Sequence, residues 1–553
     1  MAGNGGRSPK AMGVEAVQGK PGSHEGRLGG PEGWSPRTVA LGIAVLLAAI
    51  AVALPPSIEA RAAEPAPGAS AEACSALRGA RFDLPREMPV LIGSAELVAA
   101  SALRPEICRV RGYVAPNTNF ELALPATGWN GKFFYAGCTG SCGIAGESVW
   151  ARECDYPLAR GYACIISDMG HRSTTADGLW AWRNLTAKMD FGYRATHRTA
   201  LTGKAVATAF YGKAPRHAYY MGCSTGGRQG LVSAQRFPHD FDAIIAGAPV
   251  ISEAATSMSF VWTLQSVARD DGSPIFDDAS LALLHHGAVA ALDPADGRQD
   301  GVIDDPRAGF DPATLQCRSG EAGRCLSAEQ VQAARRVYRG PTDSEGRAAT
   351  HGGGFLPGSE LGWRSFLALG GPAQASRSGT DTTRFIQSDF GPGWDASQFD
   401  FDRDPDRLRE YEVLYSASHP DLRAFRDAGG KLLIYHGWAD SRVAPLGTVD
   451  YYGMLARAMG GIEATRGFAR LAMVPGMNHC WGGDGPFAID YIAAMEDWVE
   501  QGQAPDRLRA AHRDTEDSSG TGATFIHAFP SQAGTERGER MLPTWTEPPA
   551  VME

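Results

Sequence analysis

Short unbroken runs of hydrophobic residues recur along the chain, each bounded by turn-forming residues. Unbroken runs, as opposed to alternating ones, are typical of strands that are covered on both faces of a parallel sheet. Between two of these runs, residues 190–211 place apolar side chains at helical spacing, and a helix between two such strands indicates a parallel α/β sheet. The predicted strands are 132–136, 162–167, 218–221, 243–246, 432–435 and 471–474.

The composition and the hydrophobic pattern of the chain change over residues 252–429, where Asp, Gly and Pro are frequent and strand-like runs are few. Strand-like runs resume at Lys431. The simplest organisation is therefore one α/β core, over 64–251 and 430–553, that is interrupted by an inserted domain, called the lid below, over 252–429. Residues 518–535 are predicted to form a loop.

An uncharged apolar segment, residues 39–54, is followed closely by Ala60, Arg61 and Ala62. This arrangement is typical of a secretory signal peptide, so residues 1–63 are assigned to a signal and a polar extension before it. The alternative is a retained anchor, because the segment is only slightly shorter than a bilayer span. We expect a secreted or periplasmic protein with no stable membrane association after cleavage.

The overall composition is that of a soluble globular protein, with 43% hydrophobic and 21% charged residues. A net charge of −10 argues against a surface that binds nucleic acid. All ten cysteines follow the apolar N-terminal segment. An even number of cysteines in an exported chain predicts that they pair as disulfide bonds.

The pentapeptide Gly222–Gly226 reads GCSTG and matches the pattern G-x-S-x-G. A predicted strand leads into it, and residues 228–236 have the pattern of a helix. A sharp strand-to-helix turn of this kind exposes a serine hydroxyl at the edge of a sheet, and flanking glycines remove the Cβ clashes of such a turn. Ser224 is therefore the predicted nucleophile, with an ordinary helix cap as the alternative.

A serine nucleophile needs a general base and a group that orients the base. In α/β-hydrolases these follow in the order Ser, Asp or Glu, His, with the last two on loops after strands. Asp440 and His479 each follow a predicted strand, so Ser224, Asp440 and His479 are the predicted triad. The competing histidines are His171 and His436.

Two cysteines flank the predicted triad, because Cys223 precedes the serine and Cys480 follows the histidine. A Cys223–Cys480 disulfide bond would join the two catalytic loops and hold the distance between nucleophile and base. The alternative is two unrelated cysteines.

Taken together, these residues resemble the tannase/feruloyl esterase family of α/β-hydrolases. The resemblance extends from about Cys74 to Trp498 and rests on Asp168–His171 and on the segments DFGYRATHRTALTGKAV, GCSTGGRQGL, FDAIIAGAPV, HGWAD and PGMNHC. It implies an α/β-hydrolase core with a large lid, and hydrolysis of aromatic acid esters through a serine acyl-enzyme. Oxyanion donors are expected from the backbone N–H of Thr225 and from the turn at Gly137 and Cys138.

The lid contains a loop with three closely spaced aspartates, Asp293, Asp296 and Asp300. Carboxylates at this spacing can surround a hard cation, although the spacing differs from that of an EF-hand. The resemblance implies that these three side chains, with the backbone carbonyls of Arg298 and Val302, bind a structural Ca²⁺. The alternative is a solvated acidic turn.

The resemblance also implies a Cys74–Cys108 disulfide bond, and the two lid cysteines are expected to form Cys317–Cys325. Four cysteines allow three pairings that the sequence leaves open, namely Cys138, Cys142, Cys154 and Cys164.

Substrate choice is expected to depend on aromatic and basic side chains of the lid. Arg384 could pair with a substrate carboxylate, as in a terephthalate monoester, and the alternative is a structural ion pair. Most aromatic residues of the lid could equally belong to its hydrophobic core. The sequence does not distinguish galloyl, feruloyl and terephthalate esters as substrates. The candidates are Trp363, Arg384, Phe385, Phe390 and Trp394.

The sequence thus predicts a secreted serine carboxylic-ester hydrolase that acts on small aromatic esters. A serine amidase or peptidase would use the same triad. A non-catalytic, calcium-dependent binding protein is a further alternative, against which the intact set of Ser, Asp and His argues.

Overall fold

The computed structural model describes residues 70–145, 151–174, 176–297, 299–318, 324–367, 377–511 and 524–529. The predicted signal segment and Arg298 lie outside these residues. Within them, no helix is both long enough and apolar enough to cross a membrane.

A single mixed sheet of twelve strands runs through the described residues. The strands are β1 (Val90–Val98), β2 (Ile107–Val114), β3 (Thr118–Pro125), β4 (Lys132–Ala136), β5 (Ala163–Ser167), β6 (His217–Cys223), β7 (Ala243–Gly247), β8 (Lys431–Gly437), β9 (Ala469–Val474), β10 (Ala488–Ile489), β11 (Arg507–Ala511) and β12 (Thr524–Phe529). The central strands β5-β4-β6-β7-β8-β9 are parallel, and antiparallel strands extend the sheet at both edges.

Helices cover both faces of the parallel strands, which explains their unbroken hydrophobic sequences. The α-helices of the described residues are α1 (Ala71–Ala76), α2 (Ala151–Ala159), α3 (Leu185–Met189), α4 (Ala195–Tyr211), α5 (Thr225–Arg236), α6 (Glu253–Val267), α7 (Asp278–Leu292), α8 (Ala328–Arg339), α9 (Arg377–Asp381), α10 (Pro405–Arg409), α11 (Glu412–Tyr415), α12 (Arg423–Asp427), α13 (Pro445–Ala458), α14 (Ile462–Arg466) and α15 (Tyr491–Gln501).

All six predicted strands are present, and together they form the parallel centre of the sheet. The predicted helix over 190–211 is also present, with a π-helical turn at Asp190–Arg194 before α4. The predicted loop at 518–535 is wrong over 524–529, where β12 pairs with β9 and β11. The residues of β12 alternate in burial, so they lack the unbroken apolar run on which the prediction of strands relied.

Between β7 and β8, the described residues contain helices and no strand of the sheet. Part of this segment has its own hydrophobic cluster, with Trp363 fully buried between α7 and α8. The boundaries 252–429 of the lid remain a prediction.

A buried arginine connects the lid to the core. The guanidinium of Arg228, on α5, donates hydrogen bonds to the backbone oxygens of Phe191 and Gly192, each at 3.0 Å. It also lies 3.7 Å from the carboxylate of Glu253, at the start of α6. Removing one partner from a buried ion pair leaves an uncompensated charge, so this contact ties the two parts together.

All ten cysteines form disulfide bonds. The predicted pairs Cys74–Cys108, Cys317–Cys325 and Cys223–Cys480 are confirmed, and the open pairings resolve as Cys138–Cys142 and Cys154–Cys164. Disulfide bonds at this density are typical of an oxidising compartment.

A second contact joins the predicted lid to the loop after β9 that carries His479. His285, on α7, hydrogen-bonds Glu360 through Nδ1 at 3.0 Å and Asp484, five residues after His479, through Nε2 at 3.1 Å. Burial by itself lowers the pKa of His285, but the hydrogen bonds and charges of Asp484 and Glu360 outweigh it and raise the pKa to about 9.

We expect the stabilisation from His285 to be pH-dependent. Because its folded pKa is raised, the contribution is complete below about pH 6.5 and is lost as the pH rises through 9. His285→Gln should therefore cost at most about 3 kcal/mol of unfolding free energy at pH 6, and little at pH 9.5. Urea unfolding of both proteins at the two pH values measures this, and an equal cost at both would contradict it.

Candidate active site

The turn at Ser224 connects β6 to α5 in a strained backbone conformation, with φ +64° and ψ −120°. A Cβ atom on Gly222 would lie 2.8 Å from the backbone of Gly226, and one on Gly226 would lie 2.6 Å from the carbonyl oxygen of Cys138. Only glycine fits these two positions, which explains the G-x-S-x-G pattern. The turn is fixed further because Ser224 N–H donates to the carbonyl of Gly247 at 2.9 Å.

Asp440 follows β8 and is completely buried. Its Oδ1 accepts the backbone N–H groups of Arg442 and Val443, at 2.6 and 3.0 Å, and its Oδ2 accepts Nδ1 of His479 at 2.6 Å. Burial raises the pKa of Asp440, but the charge of His479 and the hydrogen bonds from His479 and His436 outweigh it and hold the pKa well below its usual value. The carboxylate is therefore ionised and points at the imidazole.

His479 lies on the loop after β9, and its side chain is 22% exposed. Because Nδ1 contacts Asp440, Nε2 is the atom left to act on a neighbouring group. The Cys223–Cys480 bond joins the residue before Ser224 to the residue after His479, with 6.0 Å between the two Cα atoms. Among the described hydrogen bonds none joins the Ser224 hydroxyl to His479, a contact that in hydrolases often tightens only when substrate binds.

The two histidines considered as alternatives to His479 for the general base make other contacts. His171 is buried, stacks on Trp180 at 3.6 Å and hydrogen-bonds the carbonyl of Ser141 at 2.7 Å. Burial lowers the pKa of His171 to about 4. His436 is fully buried, and its Nε2 lies 3.0 Å from Asp440 Oδ2 and 3.1 Å from the carbonyl oxygen of Val443.

Two backbone amides face the turn from different elements. The Thr225 amide begins α5, and the Thr225 hydroxyl donates to the carbonyl of Gly140 at 2.8 Å, which holds the loop after β4 beside the elbow. The Gly137 amide already donates to the carbonyl of Met221 at 2.8 Å, whereas no hydrogen bond of the described residues uses the Cys138 amide. Of the two expected donors in this turn, Cys138 is thus the one left for an oxyanion.

Two large cavities are lined in part by residues close in sequence to the candidate triad, although Ser224, Asp440 and His479 line neither of them. The lid-side cavity, about 660 Å³, is lined mainly by apolar groups that include Ile251, Met258 and Val443. The disulfide-side cavity, about 720 Å³, is lined by Gly137, Cys138, the Cys223–Cys480 bond and several aromatic residues. Both volumes are in the range of small-molecule sites.

The lid candidates for substrate binding line neither of these cavities. Arg384 pairs with Asp381 at 2.7 Å, which is the structural ion pair considered as its alternative role. Phe385 is buried beside it, and Trp394 stacks on Phe390 with ring centroids 4.8 Å apart. The role of these residues in substrate binding stays a prediction.

The aspartate loop is only partly described. Asp293 accepts the backbone N–H groups of Asp300 and Gly301, at 3.2 and 3.1 Å, and Asp300 accepts that of Val302 at 3.2 Å. The loop therefore wraps around Asp293, and its oxygen donors suit a hard cation. Within the described residues no group of three or more acidic, His or Cys side chains is arranged as a metal site, and the side chain of Asp296 lies outside that set.

A parallel sheet with a serine elbow after one strand, and a hydrogen-bonded Asp and His on the loops after two others, defines an α/β-hydrolase. The Tannase and feruloyl esterase family matches residues 101–539. The chain belongs to this family, and it is a carboxylic ester hydrolase.

Individual relatives agree with this assignment. The chain is 35% identical, over 80% of its length and 86% of the relative's, to mono(2-hydroxyethyl) terephthalate hydrolase of Piscinibacter sakaiensis. It is 31% identical, over 73% and 79% of the two chains, to a probable feruloyl esterase B-2 of Aspergillus flavus. The crystal structure of feruloyl esterase B from Aspergillus oryzae superimposes with a TM-score of 0.71 and 26% identity, over 80% and 93% of the two chains.

Sequence reasoning missed two features of this site. One is the buried pair of Arg228 and Glu253, for which the only signal is an arginine one helical turn after the nucleophile. The other is Trp481, a 67% exposed tryptophan two residues after His479 that lines the disulfide-side cavity. The signal in the sequence was an aromatic residue next to the motif that contains His479.

Proposed function

We propose that this esterase cleaves esters of aromatic acids through a serine acyl-enzyme. The observation that carries the proposal is the 2.6 Å contact between Asp440 and His479, together with the disulfide bond that joins the His479 loop to the Ser224 turn. The names of the relatives support an aromatic acyl group, and the apolar lining of the lid-side cavity is compatible with one.

In the proposed mechanism His479 Nε2 accepts the Ser224 proton as the hydroxyl attacks the ester carbonyl. The amides of Thr225 and Cys138 stabilise the oxyanion, and Asp440 stabilises the imidazolium. His479 then gives its proton to the departing alcohol. A water molecule, activated by the same histidine, hydrolyses the acyl-enzyme and releases the acid.

Acid release from methyl gallate, methyl ferulate and mono(2-hydroxyethyl) terephthalate tests the proposal. The exported full chain should be assayed with calcium, beside the matched amide of each acid. Hydrolysis of one or more esters, with the amides at least about 100-fold slower, would support it. Preferred hydrolysis of the amides would favour the serine amidase alternative.

His436 is expected to affect how Asp440 holds His479. It donates one N–H to Asp440 Oδ2 and is held by Thr448, whose Oγ1 lies 2.8 Å from Nδ1. Without this donor, the carboxylate that holds His479 would lose one of its hydrogen bonds, so His436→Leu should lower kcat for ester hydrolysis by up to about tenfold. A loss of stability with kcat unchanged would mean that His436 contributes only to packing.

We also propose that the aspartate loop binds Ca²⁺ through Asp293, Asp296 and Asp300, with the backbone carbonyls of Arg298 and Val302. The ion would supply local order to the lid and no catalytic step. Export to an oxidising compartment, as the five disulfide bonds favour, would expose the loop to calcium.

Removing calcium should lower thermal stability. At 100 times the dissociation constant a bound ion contributes about 2.7 kcal/mol. The unfolding entropy of a chain of this size is about 1 kcal/mol per kelvin, so EDTA should lower the Tm by about 2 to 3 °C. Asp300→Asn should lower the Tm in calcium and reduce the response to EDTA. A Tm that EDTA leaves unchanged, in protein first saturated with calcium, would contradict the site.

A further inference from the structure

The loop after β4, residues 137–143, is called the oxyanion loop below because it carries the Cys138 amide. It belongs to no strand or helix, so contacts with other segments must fix the direction of that amide. An oxyanion donor is effective only at about 2.7 to 3.1 Å from the oxygen that becomes charged, and a misplacement of about 1 Å can be costly. The contacts that hold this loop therefore bear on the reaction, although they touch no substrate.

Two hydrogen bonds join the first half of the oxyanion loop to the segment around Ser224. The Gly137 N–H donates to the carbonyl of Met221, and the Thr225 hydroxyl donates to the carbonyl of Gly140, each at 2.8 Å. Neither involves residues 141–143, so this second half of the loop depends on other contacts.

The second half is held by the turn after β5, residues 168–173. His171 Nε2 lies 2.7 Å from the carbonyl oxygen of Ser141. The backbone N–H of Gly143 donates to the carbonyl of Asp168 at 3.2 Å, and that of Ser173 donates to the carbonyl of Gly143 at 3.0 Å. The side chain of His171 thus makes the shortest of these three contacts.

The turn that carries His171 is itself firmly held. Asp168 accepts the backbone N–H groups of Asn119 and Gly170, at 2.9 and 3.0 Å, and the side-chain amide of Asn119 at 2.6 Å. The ring of His171 stacks on Trp180 with centroids 3.6 Å apart, and only 4% of the residue is exposed. His171 therefore has little freedom to move away from the oxyanion loop.

His171 acts as a neutral hydrogen-bond donor. Burial lowers its pKa to about 4, so the ring is uncharged at neutral pH. Because a carbonyl oxygen can only accept a hydrogen bond, the single proton of the neutral ring is on Nε2. The imidazole thus gives the loop a directed hydrogen bond and no charge.

A short covalent path leads from this hydrogen bond to the Cys138 amide. The carbonyl of Ser141 belongs to the peptide group that continues into Cys142, and Cys142 is bonded to Cys138. A movement of that peptide group would therefore be passed on to Cys138.

We propose that His171 is a positioning residue of the ester hydrolysis, and that its hydrogen bond to Ser141 holds the Cys138 amide in place for the oxyanion. The inference rests on the proposed function, since it takes Ser224 as nucleophile and Cys138 as donor. Both steps of the acyl-enzyme mechanism pass through a tetrahedral oxyanion. The effect should therefore fall on kcat whichever step is slower, with little change in KM.

Three variants of His171 test the hydrogen bond. His171→Phe keeps a ring for Trp180 and removes the donor, and it should lower kcat about 10- to 100-fold with KM within about threefold. In His171→Gln the amide can lie where Nε2 is now, so kcat should stay within about threefold of the native value. In His171→Asn the amide is one methylene short of that position, and kcat should fall as in His171→Phe.

Phenylboronic acid gives a readout that a general loss of packing would not change. Its boron bonds to the Ser224 oxygen while His479 takes the hydroxyl proton, and the tetrahedral adduct places an oxygen where the oxyanion would form. His171→Phe should raise the Ki of phenylboronic acid about tenfold or more. The Ki of the matched aromatic amide, whose carbonyl stays planar, should change by less than about threefold.

Phe210→Leu is the control for stability. Phe210 is buried at the end of α4 beside Tyr211, whose ring stacks on Trp129 just before β4 begins. This is the edge of the parallel sheet opposite to Ser224, so the variant should lower the Tm and leave kcat and both Ki values unchanged.

The outcomes separate the two levels of the argument. A folded His171→Phe protein with unchanged kcat and unchanged affinity for phenylboronic acid would overturn the positioning role. If His171→Phe does not fold, equal kcat in His171→Gln and His171→Asn would overturn it. Absence of Ser224-dependent ester hydrolysis in the native protein would instead overturn the proposed function, together with the inference that rests on it.

Discussion

Ser224→Ala is expected to lower kcat for ester hydrolysis by about 10⁴- to 10⁶-fold, the loss typical of a missing serine nucleophile. The reason is that no other hydroxyl occupies the strained turn between β6 and α5, where φ is +64°. The measurement is acid release from the ester that the native protein hydrolyses fastest.

Folding should be unaffected, because the Ser224 hydroxyl takes part in no hydrogen bond of the described residues. Ser233→Ala, which removes a buried hydroxyl from the same helix α5, is the matched control and should retain activity. Turnover by folded Ser224→Ala within about tenfold of the native rate would rule out the serine acyl-enzyme.

Loss of the Cys223–Cys480 bond is expected to have the second large effect. The bond closes a loop of 257 residues, and in the chain-entropy model such a loop contributes up to about 5 kcal/mol to stability. The double variant Cys223→Ser, Cys480→Ser should also lose kcat, because the loops that carry Ser224 and His479 would no longer be fastened together.

The double variant Cys317→Ser, Cys325→Ser is the control, since its bond closes only 8 residues within the lid. The same model gives about 2.5 kcal/mol for that loop, and we expect this variant to retain kcat. Chemical unfolding and steady-state kinetics measure both variants. Equal kcat in the two double variants would show that the catalytic loops keep their spacing without the bond.

The parallel centre of the sheet could be predicted from sequence because its strands are buried on both faces. Continuous apolar runs such as those of β4 and β8 indicate parallel strands when helical segments lie between them. The edge strands gave a weaker signal. β12, for example, has only three buried residues out of six, and it depends on its pairing with β9 and β11.

The placement of Ser224, Asp440 and His479 on turns after three strands could be predicted because each of these residues stands in a local motif. Contacts between segments that are distant in sequence could not be predicted. That the Gly137 amide is already used by Met221, or that His436 shares Asp440 with His479, follows from tertiary placement and from no local pattern. The pairing of Cys138 with Cys142 joins residues only four apart, and it was undecidable because Cys154 and Cys164 offered alternative partners.

The buried contact between Arg228 and Glu253 has a consequence for the start of the predicted lid. Glu253 is the first residue of α6, so a movement of this end of α6 away from α5 would separate two buried groups of opposite charge. We therefore expect the first turn of α6 to stay against α5, and any movement of the predicted lid to occur beyond it.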